Sequence, residues 1–214
     1  MRFANRTDAG RRLAAALQHL SGDDVIVCGL PRGGVPVAYE VASAIAAPLD
    51  VIVVRKLGFP GQPELAMGAV GEGGARFIHA ATVRLAGLTT EQLAEIEGRA
   101  SAEVAHRARA FRNGRDRIER EGRTVVIVDD GLATGSTARA ACQVARFEGA
   151  ARVVLAVPVA PSGWTTWMKA AADEYVCVES PLRMLAVGNW YQDFSATKDE
   201  EVVSCLARGQ VWRR

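Results

Sequence analysis

Two adjacent carboxylates, Asp129 and Asp130, follow directly after a short apolar run, Val125 to Val128. A β-branched run of this kind is typical of a strand that is covered on both faces, so the two acids stand at its carboxyl end. Open α/β sheets bind ligands at that edge. The alternative is an ordinary turn after a buried strand, but two adjacent acids without a function would be costly there.

A turn of small, hydroxylated and glycine residues comes next, from Gly131 to Thr137, and a helix is predicted from Ala138 to Ala145. At a helix N-terminus, backbone N–H groups and the hydroxyls of Thr134 and Ser136 can converge on a phosphate. The turn has neither the lysine of a P-loop nor the Gly-x-Gly-x-x-Gly spacing of a dinucleotide fold. Carboxylates beside a phosphate cradle predict a phosphorylated sugar, whose ribose hydroxyls would donate to the acids.

The segment Val125 to Thr137 resembles the phosphoribosyl pyrophosphate (PRPP) signature of the type I phosphoribosyltransferases, and the resemblance covers roughly residues 20 to 180. It implies a doubly wound parallel α/β sheet with helices on both faces, a hairpin and helical lid insertion, and a small C-terminal cap. It also implies transfer of a phosphoribosyl group from PRPP to a nitrogenous base with release of pyrophosphate, in nucleotide metabolism such as purine salvage.

The resemblance assigns roles to the signature residues. Asp129 and Asp130 would be catalytic and hold the ribose hydroxyls, and Mg²⁺ would come with the pyrophosphate, reaching the two acids through water rather than directly. The residues that would bind the 5′-phosphate are Ala133, Thr134, Gly135, Ser136 and Thr137. Ala133 stands where members that use hypoxanthine or guanine usually carry Asp, so the pattern is nearest to the adenine-type members and leaves the acceptor open.

A second strand, Val25 to Cys28, leads into a glycine turn and an alanine-rich helix. Gly33 and Gly34 permit close backbone approach, and Arg32 can make charge-assisted bonds to an anion. In the resembled family this turn is the pyrophosphate loop, often with an unusual peptide geometry. A glycine turn with a solvated arginine is the alternative.

Two cations, Arg55 and Lys56, follow the predicted strand Leu49 to Val54. At the end of a strand they would point to the ligand edge, so we expect both to face pyrophosphate, with Lys56 also counted as catalytic. The run resembles the corresponding segment of adenine-type members, although Phe59 departs from the lysine common there. A solvated basic strand end is the alternative.

The lid is expected within residues 57–121. Pro63 to Val70 and Ala75 to His79 are predicted to pair as a hairpin. A long helix is predicted from Thr89 or Thr90 to about Glu121, with Thr90 as its cap. Its arginines alternate with glutamates and lack aromatic partners, which favours a solvated helix face over a nucleic-acid surface.

The second half of the chain alternates strands and helices. Strands are predicted from Ala151 to Val157 and from Glu174 to Val178, with a helix from Gly163 to Ala172 between them and a terminal helix from Asp199 to Leu206. This alternation specifies a parallel sheet with right-handed crossovers.

Aromatic residues in the predicted cap, residues 180–214, lie beside an acid. Trp190, Tyr191 and Asp193 suit a flat heterocycle, because a ring can stack and its edge can be read by hydrogen bonds. They are the candidate base-binding residues. A cap over the sheet with no contact to a base is the alternative.

Length and composition indicate one domain, residues 1–214, with 49% hydrophobic residues to fill its core. A net charge of +2 argues against nucleic acid as the main partner. Four scattered cysteines are interpreted as buried thiols. The N-terminus lacks a signal-peptide pattern and no run is long enough for a membrane span, so we expect a cytoplasmic protein. The resemblance implies a homodimer.

Two other functions stay open. A PRPP-binding regulator would keep the fold with weak or no catalysis, and would act through a protein or RNA partner, since the charge balance and the lack of a helix-turn-helix argue against direct DNA binding. A different sugar-phosphate enzyme is the third possibility, and failure to bind PRPP would be its first sign.

Overall fold

The computed structural model of the chain describes residues 2–22, 24–59 and 62–209, without the side chains of residues 62–66. Its helices and strands are, in chain order, α1 (Arg6–Ala16), β1 (Val25–Gly29), α2 (Gly34–Ile45), β2 (Leu49–Val51), β3 (Val54–Phe59), β4 (Gln62–Gly71), β5 (Arg76–Ile78), α3 (Ala80–Leu85), α4 (Thr90–Arg112), β6 (Thr124–Val128), α5 (Ser136–Phe147), β7 (Arg152–Val159), α6 (Trp164–Trp167), β8 (Glu174–Glu179) and α7 (Asp199–Gly209). Within these described ranges, no helix combines the length and apolarity that crossing a membrane requires.

The central sheet has five parallel strands in the order β2-β1-β6-β7-β8. Val126 and Val128 point into a core shared with α1, α2 and α7, whereas Val125 and Ile127 point into a core shared with α5 and α6. This alternation buries both faces of the sheet. The predicted doubly wound parallel fold is therefore confirmed.

The strand order reverses between β1 and β6. The chain leaves β1 toward β2 at one edge, whereas β6, β7 and β8 extend to the other edge. Loops that leave these two neighbouring strands in opposite directions open a crevice at their carboxyl ends, which is where doubly wound folds bind ligands. The two predicted anion-binding turns follow β1 and β6.

A second sheet of three antiparallel strands, in the order β3-β4-β5, forms the insertion. The predicted hairpin is confirmed by the pairing of β4 with β5. The prediction of a single strand from Leu49 to Val54 was wrong. The core strand ends at Val51, and the backbone N–H of Val53 donates to the Glu72 carboxylate at 3.0 Å instead of to a strand. Arg55 and Lys56 therefore lie in the second sheet.

Helix α4 begins with a complete capping box. Gln92 N–H donates to Thr89 Oγ1 at 3.2 Å, and Thr89 N–H donates to Gln92 Oε1 at 2.9 Å, so the cap is Thr89 and not Thr90. The helix ends at Arg112, before the predicted Glu121, because Asn113 adopts a left-handed conformation with φ of 46°.

The segment after β7 forms less helix than predicted. Only Trp164 to Trp167 is helical, whereas the prediction extended to Ala172. The backbone N–H groups of Ala171 and Ala172 donate to the Tyr175 hydroxyl, at 3.1 and 3.0 Å, and Ala171 N–H also donates to Met168 O at 3.0 Å. The side chain from β8 thus supplies an acceptor to backbone groups that a longer helix would satisfy by itself.

All four cysteines are free thiols. Cys28, Cys142 and Cys205 are buried and Cys177 is half-buried, in agreement with their interpretation as packed thiols. Burial raises the pKa of the Cys28 thiol to about 11.

Candidate active site

The two predicted anion-binding turns touch each other at the carboxyl ends of β1 and β6. Leu30 N–H donates to Val128 O at 2.8 Å. A Cβ added to Gly34 would lie 2.5 Å from that same carbonyl oxygen, and a Cβ added to Gly33 would lie 2.0 Å from Asp130 Oδ2. The two glycines therefore allow one turn to approach the acids of the other.

Arg32 lies in the same turn, and the peptide bond between Pro31 and Arg32 is cis. Its side chain is about half exposed, and Nη1 lies 3.5 Å from Asp199 Oδ1 on α7. The guanidinium thus stands at the rim of the crevice, in a weak ion pair with the terminal helix.

The two acids at the end of β6 share an environment that disfavours their charge. Burial raises the pKa of both carboxyls, and the neighbouring charge of Asp130 raises the pKa of Asp129 further. Asp130 N–H donates to Asp129 Oδ1 at 2.9 Å. Carboxylates in such a site gain from additional hydrogen-bond donors, and sugar hydroxyls supply these without bringing a charge.

Arg6 is a site residue that the sequence analysis missed. Its Nε and Nη2 lie 2.9 and 2.8 Å from Asp130 Oδ2, and its charge lowers the pKa of that carboxyl against the effect of burial. Its Nη1 donates to Ser195 O at 2.7 Å, and the guanidinium lies 4.1 Å from the centre of the Phe194 ring. No local pattern marks this arginine, because its partners are more than 100 residues away.

The turn after the acids lines a pocket of about 170 Å³. Gly135, with φ of +70°, precedes the first helical residue, and Thr134 Oγ1 lies 3.2 Å from Ser136 Oγ. Asp129 lines the same pocket. All five predicted 5′-phosphate residues take part in the lining: Ala133, Thr134, Gly135, Ser136 and Thr137.

Val187 of the cap and Trp167 of α6 pack closely against two glycines of the turn. A Cβ added to Gly131 would lie 2.4 Å from Val187 Cγ1, and a Cβ added to Gly135 would lie 2.5 Å from the Trp167 ring. Val187 also lines the pocket and was missed in the sequence analysis. Its position could not be inferred locally, because 56 residues separate it from Gly131.

The two predicted basic residues of β3 point in different directions, as neighbours on a strand do. Lys56 lines a second pocket together with Thr134 and Ser136 of the turn. Arg55 forms an ion pair with Glu103 of α4. The structure thus brings Lys56, but not Arg55, to the phosphate turn.

The three candidate base-binding residues are spread over different environments. Tyr191 is buried: its hydroxyl donates to Asp130 O at 2.5 Å, and its ring lies 5.4 Å from Phe3 and 4.9 Å from Phe194. Asp193 is exposed and accepts a hydrogen bond from Ser195 N–H at 2.9 Å. Trp190 is half-buried against the same small cluster. Tyr191 therefore anchors the cap to the backbone of the acid pair.

The acids can supply oxygen ligands to a hard cation. Within the described ranges, no group of three or more His, Cys, Asp or Glu side chains is arranged to hold a metal ion. Mg²⁺ in phosphate-handling sites is held by one or two carboxylates together with substrate phosphates and water. Asp129 and Asp130 fit that mode of binding.

A comparison with known proteins gives the class. The model of the phosphoribosyl transferase domain family matches residues 4–190, and the chain belongs to this family. The predicted membership is confirmed.

Two relatives are particularly similar. A protein of Mycobacterium tuberculosis, provisionally named a phosphoribosyl transferase and recorded in strains H37Rv and CDC 1551, is 54% identical over 206 residues. The match covers 96% of this chain and 46% of that protein, so the chain spans about half the length of the curated relatives it matches. The crystal structure of TT1426 from Thermus thermophilus has a TM-score of 0.86 at 44% identity, covering 97% of this chain and 99% of that one.

Proposed function

We propose that the chain catalyses the Mg²⁺-dependent transfer of a phosphoribosyl group from PRPP to a nitrogenous base, with release of pyrophosphate. The observation that carries this proposal is the pocket of about 170 Å³ in which Asp129 and the turn before α5 meet. Membership in the phosphoribosyl transferase domain family supports it independently.

In this reaction a nitrogen of the base attacks C1 of the ribosyl group, and the bond from C1 to the pyrophosphate oxygen breaks. The transition state resembles an oxocarbenium ion, so the tasks of the protein are positioning and charge stabilisation. Asp129 and Asp130 accept hydrogen bonds from the ribose hydroxyls, and their negative charge favours the cationic sugar. The N–H groups and hydroxyls of Ala133 to Thr137 hold the 5′-phosphate.

Pyrophosphate is proposed to leave along the turn after β1. Backbone at Gly33 and Gly34 and the side chains of Arg32 and Lys56 are its binding groups, and Lys56 supports the departing charge. Arg55 joins them only if its pair with Glu103 opens. Asp129 and Asp130 would reach a pyrophosphate-bound Mg²⁺ through water, and the ion would supply positive charge for the leaving group.

The acceptor is proposed to be a purine-type base used in salvage. The alanine at position 133 supports this proposal, because the loop pattern is nearest to that of adenine-type members. Trp190 and Asp193 are the candidate contacts with the base. Tyr191 supports them through its bond to the Asp130 carbonyl.

The test is calorimetric titration of the chain with PRPP and Mg²⁺, followed by a panel of purine and pyrimidine bases with pyrophosphate release as the readout. The matched variant carries Asp129→Asn and Asp130→Asn together. We expect PRPP binding in the wild type, loss of binding in the double variant, and release of pyrophosphate with one base. PRPP binding without release for any base would favour the regulator, and no binding would contradict both.

Four further statements stay predictions: a single domain over residues 1–214, a homodimer, a cytoplasmic location, and the absence of nucleic-acid or membrane partners. Sedimentation velocity with and without PRPP tests the dimer. Because the chain spans about half of its curated relatives, the activity of those whole proteins is a separate question.

A further inference from the structure

A second pocket, of about 390 Å³, adjoins the phosphate turn. It lies between the second sheet and the outward face of α5. Its lining includes Lys56, His79, Thr134, Ser136 and Arg139. We call it the flap pocket. Its size is within the range of small-molecule sites.

The charged groups of the flap pocket are basic. Lys56 and His79 have no side-chain partner among the residues that the structure describes. Arg139 donates to the Trp167 carbonyl of α6, which holds its guanidinium at the wall. No carboxylate belongs to the described lining. Basic groups from β3, α5 and the residue between β5 and α3, with no carboxylate in the described lining, make a local positive potential that suits a multiply charged anion.

The flap pocket adjoins the smaller pocket of the turn and shares part of its lining. Thr134 and Ser136 line both of them, and their hydroxyl oxygens lie 3.2 Å apart. A phosphate bound in the turn would therefore have the basic cavity directly beside it. A single phosphate does not need this additional volume and charge, whereas a longer phosphate chain does.

We propose that the flap pocket binds a second phosphoryl group attached to the 5′-phosphate, so that the site accepts ribosyl 5′-diphosphates in addition to 5′-monophosphates. This inference rests on the proposed function, since it assumes that the turn before α5 holds the 5′-phosphate. Arg139 and His79 would be the residues that select for the longer ligand. A free phosphate ion beside a 5′-monophosphate supplies the same phosphoryl chemistry.

The test compares ligands that differ only in the second phosphoryl group. Ribose 5-phosphate, AMP and ADP are titrated into the chain by calorimetry at constant ionic strength, and ribose 5-phosphate is titrated again in the presence of inorganic phosphate. The variants are Arg139→Gln and His79→Gln. Arg146→Gln is the matched control, because Arg146 lies on the same helix but pairs with Asp173 outside the pocket. Thermal unfolding checks that each variant is folded.

We expect ADP to bind about 10-fold more tightly than AMP, which is about 1.4 kcal/mol and the scale of one charge-assisted hydrogen bond. This advantage should be lost in Arg139→Gln, reduced in His79→Gln and kept in Arg146→Gln, while binding of ribose 5-phosphate stays unchanged. If ADP has no advantage but inorganic phosphate binds beside ribose 5-phosphate in an Arg139-dependent way, the pocket is a phosphoryl site filled by a free ion.

One outcome would overturn the flap-pocket proposal and a different one the proposed function. Equal affinities for ADP and AMP, with no effect of inorganic phosphate, would overturn the flap-pocket proposal while leaving the phosphate turn intact. Failure of the wild type to bind either ribose 5-phosphate or PRPP would instead contradict the proposed function itself.

Discussion

Two groups of charged side chains among the described residues are partnered differently. The first, the buried ion network, consists of Asp50, Glu72, Arg112, Arg120 and Glu148. The second, the carboxylate edge, consists of Asp129, Asp130, Arg6 and Lys56. The network lies under the insertion, whereas the edge opens to the crevice between β1 and β6.

The network is nearly saturated with partners. Arg112 contacts Asp50 at 2.8 Å and Glu72 at 2.5 Å, and Arg120 donates to Val51 O at 2.8 Å and contacts Asp50 at 3.1 Å. The side chain of Arg120 is 1% exposed, and only its Nε lacks a partner among the described residues. These contacts tie β2, the turn after β4, and α4 together.

The charged groups of the carboxylate edge are less fully paired than those of the buried ion network. Asp129 has a like charge beside it and a raised pKa, and Lys56 has no side-chain partner among the described residues. Perturbed acids and unpaired cations in a cleft are typical of functional sites, whereas satisfied buried pairs are typical of structural ones. The difference predicts that substitutions in the two groups have opposite consequences for stability.

Breaking the network should have the largest effect. Arg120→Met leaves the charges of Asp50 and Glu148 without one of their partners in a buried site, so we expect the free energy of unfolding to fall by about 3–5 kcal/mol in urea denaturation. The control is Arg99→Met. Arg99 is 78% exposed and pairs with Glu95 one helical turn away, so its loss should cost less than about 1 kcal/mol. Similar costs for the two variants would remove the distinction.

The next largest effect should come from Gly33, at the carboxylate edge. Its φ of −62° suits alanine, but the added Cβ would lie 2.0 Å from Asp130 Oδ2 and displace that carboxylate. We expect Gly33→Ala to weaken PRPP binding by about 10-fold, with less than about 1 kcal/mol of change in unfolding free energy.

Gly34→Ala is the matched control for Gly33→Ala. Its Cβ would lie 2.5 Å from the backbone oxygen of Val128, which cannot rotate away as a side chain can. We expect a loss of about 1–3 kcal/mol in stability from this overpacking. If Gly33→Ala destabilised the fold as much and left PRPP binding intact, the role of Gly33 in the site would be disproved.

The carboxylate edge could be predicted from the sequence because its central part is contiguous. Residues 125–137 contain the strand, the acids and the phosphate turn. The end of the strand and the two acids can therefore be recognised from neighbouring residues alone. The strands of the central sheet could be predicted for the same reason, because each of them is a short apolar run. Arg6 and Val187 were not found, because each reaches the site only through tertiary contacts.

The buried ion network was missed for a physical reason. Its members are distant in sequence, and Arg112 was counted among arginines that alternate with glutamates on a solvated helix face. The alternation of charges along a helix does not show that its last residue, Arg112, is buried. One local signal was present: Asn113-Gly114 is a typical helix stop, and it would have ended the helix at the correct residue.

The pH dependence of stability separates the two groups further. Burial and the charge of Asp130 raise the folded-state pKa of Asp129 above its unfolded value. The folded protein therefore holds this proton more tightly, and the associated stability is lost as the pH rises toward the raised pKa. In Asp129→Asn the side chain stays uncharged, so the loss of stability that accompanies ionisation of Asp129 is absent. We expect a gain on the order of 1 kcal/mol at about pH 8, and none at about pH 3.5, together with loss of PRPP binding.

Asp173→Asn is the control of opposite sign. Burial acts to raise the pKa of Asp173, but hydrogen bonds from Val153 N–H at 2.7 Å and from Arg146 at 2.9 Å outweigh it, and the pKa is lowered. Its stabilisation is present above the unfolded pKa and lost as the pH falls. The variant should therefore be less stable than wild type at about pH 8. A loss of stability in Asp129→Asn as well would mean that the Asp129 charge holds the fold.

The smallest effect on PRPP binding is expected from substitution of Arg6, the cation that pairs with Asp130. Its ion pair lowers the pKa of Asp130 against the effect of burial. Without this cation a larger share of Asp130 is protonated near neutral pH, and a protonated acid accepts fewer bonds from ribose hydroxyls. We expect Arg6→Gln to weaken PRPP binding by about 3-fold at pH 6, which is less than 1 kcal/mol, and by less at pH 8.

Arg12→Gln, on the same helix but paired with Asp8, is the control. Tighter PRPP binding by Arg6→Gln at both pH values would reverse the assignment, because Arg6 would then compete with the sugar for the carboxylate.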